Sequence, residues 1–203
     1  MKILALGSHP DDIEYGCGGL LLNAVATGHD VYLGVLTDGG LIPGIDRKTE
    51  QERAASFLGA RELFWGGFKD TQLAPGRELI VAIEHMLSRC EPDLVLVNHP
   101  DDAHQDHQAL ASCAVTACRY VRRVFFYHDY TTMNFQPDTF CNIGAFLEKK
   151  RQLLGFHESQ VGKSYPTGLD MEESVGALAA YYGFMAKVRY AEAFKPLRNL
   201  IAL

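Results

Sequence analysis

The sequence predicts an α/β fold of three layers, a doubly wound and mostly parallel sheet of Rossmann-like winding with helices on both faces. Three observations predict it. Short apolar runs alternate with helical patterns at intervals of about 30 residues. The runs lack polar alternation, as strands buried on both faces do. Several end directly in loops carrying His and Asp, and in open α/β sheets sites lie outside the carboxyl ends of the strands.

Taken in order, residues 2–7 form the first strand and residues 17–27 a helix closed by Gly28. Residues 31–37 are the second strand, running into Asp38-Gly39-Gly40. Pro43 and Gly44 mark residues 41–46 as surface loop. Residues 47–58 carry Ala54, Ala55 and Leu58 at helical spacing, and Gly59 ends them. Residues 62–66 make the third strand. Over 77–90 the stripe Leu79, Ile80, Ile83, Met86 and Leu87 is helical, and Pro92 breaks it. Residues 94–97 are the fourth strand, 107–119 a helix and 122–129 the fifth strand. Residues 130–145 are irregular around Pro137, with room for a short strand near Phe140. A helix over 146–156, a turn-rich loop over 158–170 and a long final helix over 171–194 complete the chain. The expectation is one domain over 1–203, with an α/β core in 1–128 and a C-terminal substrate-loop and helical part in 129–203.

Composition narrows the function. An apolar fraction of 47% and a charged fraction of 22% suit an ordinary globular domain. A net charge of −6 argues against nucleic-acid binding, which needs a basic surface. No apolar stretch reaches the length of a membrane span. Residues 2–6 already read as a strand, leaving little room for a signal peptide. Five cysteines without a CxxC pair suggest buried free thiols in a reducing compartment, so a cytoplasmic location is expected.

Two runs carry chemistry: Gly7-Ser8-His9-Pro10-Asp11-Asp12-Ile13-Glu14 and His99-Pro100-Asp101-Asp102-Ala103-His104-Gln105-Asp106-His107. Adjacent carboxylates repel, and a cation is the simplest reason to hold them together. A lone His-Pro-Asp turn is common in loops; two such runs, each at a strand end, point to one shared divalent ion. His9 and Asp12 are three apart and can face one point, as can His104 and His107. A catalytic zinc commonly takes a His/His/carboxylate set plus water. His9, Asp12 and one histidine of the second run satisfy that count. Asp11 is then left beside the metal as a general base, and the other histidine can stabilise charge or donate a proton. Gly16-Cys17-Gly18-Gly19 is no dinucleotide fingerprint; its small residues suit close packing of a helix. His29, His85, His128 and His157 read as surface or satisfied core residues.

The first run through Gly19 resembles the opening motif of the PIG-L/LmbE-like deacetylases, and His104-Gln105-Asp106-His107 resembles their H-x-D-H motif. Arg47 to Glu50, with Ala54-Ala55 and Leu58-Gly59, resembles their R-x-x-E helix. Phe146 to Lys150, His157-Glu158-Ser159-Gln160 and Tyr190 to Phe194 look like the C-terminal part of shorter bacterial members. The resemblance implies a zinc-dependent N-deacetylase acting on an N-acetylglucosamine-type sugar. It implies zinc ligands His9, Asp12 and His107, one ion per chain, with Fe2+ able to occupy the same donors. It further implies Asp11 as general base, His104 as acid or electrostatic stabiliser, Asp106 orienting His104, and Arg47 holding substrate. A small amino-sugar substrate and a homo-oligomer are the implied partners. One departure stands out: Asp102 occupies a position where some members carry a Tyr that helps the oxyanion.

The competing readings are a metal-dependent hydrolase of another amide or an ester, and a non-catalytic metal- or ligand-binding module. Two-metal phosphoesterases need more carboxylate ligands than the two runs offer. Tyr130, Asn134 and Tyr165 are candidates for the substrate wall. Lys149, Lys150 and Arg151 read as a solvated helical face rather than a phosphate site. Tyr181, Tyr182, Phe184 and Met185 are too apolar for one buried stripe and suit a subunit interface.

Overall fold

The computed structural model describes residues 1–40, 44–163 and 168–200. Tyr165 and part of the loop expected over 41–46 lie outside them. Five parallel strands form the body of the sheet: β1 (Lys2–Gly7), β2 (Asp30–Thr37), β3 (Glu62–Phe68), β4 (Leu94–Asn98) and β5 (Arg123–Tyr127). Their connections contain α1 (Asp12–Ala26), α2 (Arg47–Leu58), α3 (Arg77–Cys90) and α4 (Gln105–Ala117). The sheet order is β3-β2-β1-β4-β5-β7-β6, where β6 (Thr139–Asn142) and β7 (Ala191–Asn199) run antiparallel at one edge. The expected α/β fold with a mostly parallel sheet is what the chain forms.

One face of the sheet buries Leu4, Leu6, Val95 and Val97 against Ile83, Met86, Leu110 and Ala114 of α3 and α4. The other buries Ile3, Ala5, Leu33 and Leu96 against Ile13, Cys17 and Leu21 of α1 and Ala54 and Leu58 of α2. Adjacent residues of each strand thus go to opposite layers, which is why the runs lack polar alternation. After β5 the chain forms β6, α5 (Leu147–Leu154), the short α6 (Glu158–Val161), α7 (Met171–Ala186) and β7.

Three expectations are corrected here. The first helix begins at Asp12, ahead of the stretch over 17–27. Gly16, Gly18 and Gly19 lower helix propensity, yet close packing requires them. A Cβ on Gly16 would lie 2.2 Å from Tyr127 Cδ2, and one on Gly19 2.8 Å from Ile143 Cγ2. Secondly, the final helix stops at Ala186, with Lys187 in the left-handed region, and residues 191–199 return as β7 between β5 and β6. Pro196, whose missing N–H is tolerated only at bulges and edges, pairs with Phe125 where the register shifts. The part over 129–203 therefore adds two strands to the same sheet as well as helices. Thirdly, Lys150 is buried, not solvated: its Nζ lies 2.5 Å from Glu192 Oε1. Glu192 also accepts from the Gly19 and Leu20 N–H groups, so this pair fastens β7 and α5 to α1.

The candidate metal and catalytic site

The order β2-β1-β4-β5 places the switch point of the winding between β1 and β4, where ligands of doubly wound sheets bind. Both His/Asp runs emerge there. Other parallel strands add polar groups at the same edge: Asp70 follows β3, Asn98 ends β4, and Asp129 follows β5.

The centre is a triangle of donor atoms. His107 Nε2 lies 3.3 Å from His9 Nδ1 and 3.3 Å from Asp12 Oδ2, and His9 Nδ1 lies 3.6 Å from Asp12 Oδ2. Donors at about 2.0–2.1 Å from a tetrahedral zinc stand about 3.3–3.4 Å apart, so the triangle fits one ion. Asp12 Oδ2 is held by the Ser8 and His9 N–H groups, while its Oδ1 is buried without a hydrogen-bond partner. The far nitrogen of each histidine meets a carboxylate. His9 Nε2 lies 3.1 Å from both Asp106 Oδ2 and Asp70 Oδ1, and His107 Nδ1 lies 3.3 Å from Asp102 Oδ2. Such backing fixes the tautomer and raises the basicity of a ligating imidazole.

Charge makes the same demand. Burial by itself would lower the His9 pKa, but Asp12, Asp106 and Asp70 outweigh it and raise it to about 12. Burial likewise opposes protonation of His107, and Asp12 and Asp102 raise it to about 11. For Asp12, burial works upward and the two imidazoles hold its carboxyl well below the usual range. The pocket calls for positive charge, which a divalent ion supplies as well as two protons do. The donor set, the orphaned Asp12 Oδ1 and this charge balance all fit a metal.

Asp11 sits at the N-cap position of α1 with φ 99, yet its side chain caps nothing. It is almost wholly buried, and its Oδ1 lies 3.1 Å from Arg47 Nη2. Burial raises its pKa, Arg47 pulls against that, and Asp12 adds to it. Arg47 also donates to the Pro10 carbonyl. The guanidinium expected to hold substrate thus faces the carboxylate expected to act as base.

His104 is half-buried at the N-cap of α4. Its ring stacks on His107 at 4.8 Å and meets the His9 ring edge-on at 4.6 Å. Its Nδ1 accepts from the Asp106 N–H, so in the neutral ring Nε2 carries the hydrogen. Burial lowers its pKa, and the charges of His9 and His107 lower it further. The Asp106 backbone N–H meets the His104 ring, while the Asp106 carboxylate serves His9 and the N–H groups of Thr71 and Leu73.

Four further residues belong to the site. Asp70 and Asp102 back the two histidines. Asp102 itself accepts from the Thr131 and Thr132 hydroxyls and from the His104 N–H, so the carboxylate at this position is built into the backing of His107. Asp129 is buried; Asn98 Nδ2 donates to its Oδ2 at 3.1 Å, and Asn98 also reaches Asp12 at 3.4 Å. Burial and the Asp12 charge push the Asp129 carboxyl well above the usual range. Of the wall candidates, Asn134 binds Asp101 and Tyr130 packs edge-on against Tyr15.

A profile of the family described as PIG-L, GlcNAc-PI de-N-acetylase, matches residues 4–118, more than half of the chain. The chain belongs to that family. An Escherichia coli K12 protein described as the uncharacterized deacetylase YaiS is 33% identical over 147 residues, covering 68% of this chain and 80% of its own. The diacetylchitobiose deacetylase of Thermococcus kodakarensis is 27% identical, covering 96% of this chain and 82% of its own. Among solved structures, the conserved protein TT1542 of Thermus thermophilus superposes with TM-score 0.87 at 29% identity, over 99% of this chain and 96% of its own. GalB, the 4-carboxy-2-hydroxymuconate hydratase of Pseudomonas putida KT2440, superposes with TM-score 0.85 at 18% identity, over 100% of this chain and 98% of its own. That last likeness shows the fold alone. A hydratase on the same fold means that the reaction must be argued from the site.

Proposed function

We propose that the protein is a metal-dependent amide hydrolase that removes the N-acetyl group from an N-acetylglucosamine-type sugar, releasing acetate. The observation that carries this reading is the donor triangle of His9, Asp12 and His107 with a buried, uncapped Asp11 beside it. The deacetylase relatives support the choice of amide bond. His9 Nδ1, the Asp12 carboxylate and His107 Nε2 would hold one divalent ion, zinc in this proposal, with iron(II) open to the same donors. Bound there, such an ion activates water and polarises a carbonyl.

The chain's own groups do the rest. Asp11 takes the proton of the attacking water. Because burial favours its neutral form, it keeps that proton long enough to hand it to the leaving amine. His104 Nε2–H donates to the oxygen where charge develops. Arg47 orients Asp11, and contact with the sugar is a second role we assign to it. Asp106 acts through His9 rather than at the reacting atoms.

The test is acetate release from N-acetylglucosamine, N,N′-diacetylchitobiose and N-acetylglucosaminyl conjugates, with and without a chelator. Chelator-sensitive release of one acetate per product amine is expected. Silence across the panel would overturn the amide reading.

We further propose a homo-oligomer. α7 buries Val175, Ala179 and Tyr182 on one face and exposes Tyr181 (59%), Phe184 (77%) and Met185 (41%) on the other, a second apolar stripe at helical spacing. A monomeric mass by light scattering would refute it. No helix among the described residues is long and apolar enough to cross a membrane. All five cysteines are free, which supports a cytoplasmic assignment.

A further inference from the structure

Near Asp11, within range of its charge, lies a second buried polar cluster that the chemistry above does not use. Glu14 and His157 are both wholly buried, with His157 Nε2 3.3 Å from Glu14 Oε2. The other carboxylate oxygen, Glu14 Oε1, accepts from Gln51 Nε2 of α2 at 2.7 Å. The segment that carries His157 is fastened to the same helix. Ser159 N and Oγ donate to Glu50 Oε1 and Oε2 at 2.8 and 2.7 Å, and Arg53 pairs with Glu158 at 3.1 Å.

A buried charged pair is costly, and replacing it with packed apolar groups is often neutral or stabilising. Its position suggests what it does. Glu14 lies one helical turn beyond Asp11, on the first turn of α1. Asp11 itself holds φ 99, in the region that non-glycine residues avoid. Its side chain makes no capping bond that could stabilise this backbone. Two supports remain. One is Arg47, which reaches Asp11 Oδ1 and the Pro10 carbonyl from outside. The other is the turn itself, where Tyr15 N donates to the Asp11 carbonyl at 2.8 Å and Glu14 is clamped from two sides.

We propose that His157 is a positioning residue for the deacetylation: by clamping Glu14 it holds the first turn of α1, and so Asp11, in the geometry proton transfer needs. The role in turnover rests on the deacetylase reading; the hold on the turn does not. The charge environment agrees. Burial alone would discharge the imidazole, but Glu14 and the nearby Asp11 charge raise the His157 pKa. The side-chain partner of His157 is Glu14, not a member of the donor triangle, so its loss should spare metal and substrate binding and slow turnover.

The test compares the full-length zinc-loaded protein with His157→Ala and His157→Gln, using N,N′-diacetylchitobiose as probe. Gln places an amide nitrogen near the position of Nε2. His157→Ala should lower kcat by about 100-fold, the cost of misplacing a reacting group by about 1 Å. KM should stay within about two-fold, and zinc content should stay at one per chain. His157→Gln should recover most of the lost kcat. Amide exchange of residues 12–16, measured on the same proteins, should quicken in His157→Ala and return in His157→Gln.

Wild-type kcat in His157→Ala overturns the proposal. So does a loss matched by zinc loss or by a rise in KM, or a His157→Gln no better than His157→Ala. If wild-type protein releases no acetate, the deacetylase reading fails, and the exchange data alone decide the hold on the turn: unchanged exchange refutes it. Should His157→Ala not fold, Glu14→Gln is the second variant. It keeps the size of the side chain and weakens the clamp, and it should lower kcat with zinc retained; wild-type kcat there refutes the proposal.

Discussion

Zinc uptake by the metal-free protein is predicted to release about two protons per chain at neutral pH. The reason is the charge around the donor triangle. His9 and His107 are held protonated, at about 12 and about 11, although burial works against it, because Asp12, Asp70, Asp102 and Asp106 surround them. An ion entering between Nδ1 of His9 and Nε2 of His107 must displace the protons that point there. Between pH 6.5 and about 11, the apparent zinc affinity should therefore rise about 100-fold per pH unit, about 2.7 kcal/mol. Titration calorimetry at pH 7.5, in buffers of differing ionisation enthalpy, reads the proton count as the slope of observed against buffer enthalpy. A slope near zero would refute the reasoning, since neutral imidazoles would then already await the ion. The same linkage has a stability counterpart. A folded pKa raised above 6.5 contributes stability that is complete below 6.5 and lost as pH rises towards about 11. Asp11 and Asp129, raised above their ordinary 3.8, act with the same sign from lower pH. Asp12 and Asp102, lowered, matter only as pH falls below 3.8. The melting temperature of the metal-free protein should fall from pH 6.5 to 9, and saturating zinc should flatten that decline.

Asp11→Asn should keep zinc at one per chain and lower acetate release by about 100-fold to 10,000-fold; near wild-type turnover would remove Asp11 as the base. His107→Ala should lose zinc, read by elemental analysis, because it removes one corner of the triangle; full occupancy would refute the ligand set. Gly16→Ala should cost about 1–3 kcal/mol or more in denaturant unfolding, since its Cβ would meet Tyr127 at 2.2 Å in a close-packed layer. Lys150→Met should cost about 3–5 kcal/mol by leaving Glu192 buried and unpaired, whereas adding Glu192→Leu should recover much of that loss; equal stability of the single and double variants would refute the account.

How much of this could be read from the residues follows from how local each constraint is. The helices over 47–58 and 77–90 were legible to the residue. Each closes on a residue in the left-handed region, Gly59 after one and Glu91 just before Pro92 after the other, and short-range rules govern such ends. The stretch over 191–199 was not legible as a strand. Its Ala and Glu favour a helix, and it is a strand because β5 on one side and β6 on the other supply its partners. Lys150 was illegible for a related reason: its neighbours Lys149 and Arg151 mark a solvated face, while its partner Glu192 is remote in sequence.

The site divides in the same way. His9, Asp12 and His107 stand in two dense runs, and spacing of three brings each pair to one point. Asp70, Asp102 and Asp129 are single carboxylates whose meaning comes only from what faces them. A signal for one of them was present nonetheless. If sites lie at the carboxyl ends of parallel strands, then the first acidic residue after every predicted strand is a candidate. That rule returns Asp70 after β3 along with Asp11 after β1, whereas Asp129 falls inside the fifth strand as expected over 122–129 and comes to the strand end only because β5 stops at Tyr127. It cannot separate roles, because identical carboxyls become base, ligand or backing group according to burial and partner. Asp11 and Asp12 show this most sharply. They are adjacent, both are buried, and one is pushed up while the other is held down. Asp11 holds φ 99 and makes no capping bond, and the two carboxylates meet different partners, Arg47 for Asp11 and the imidazoles for Asp12.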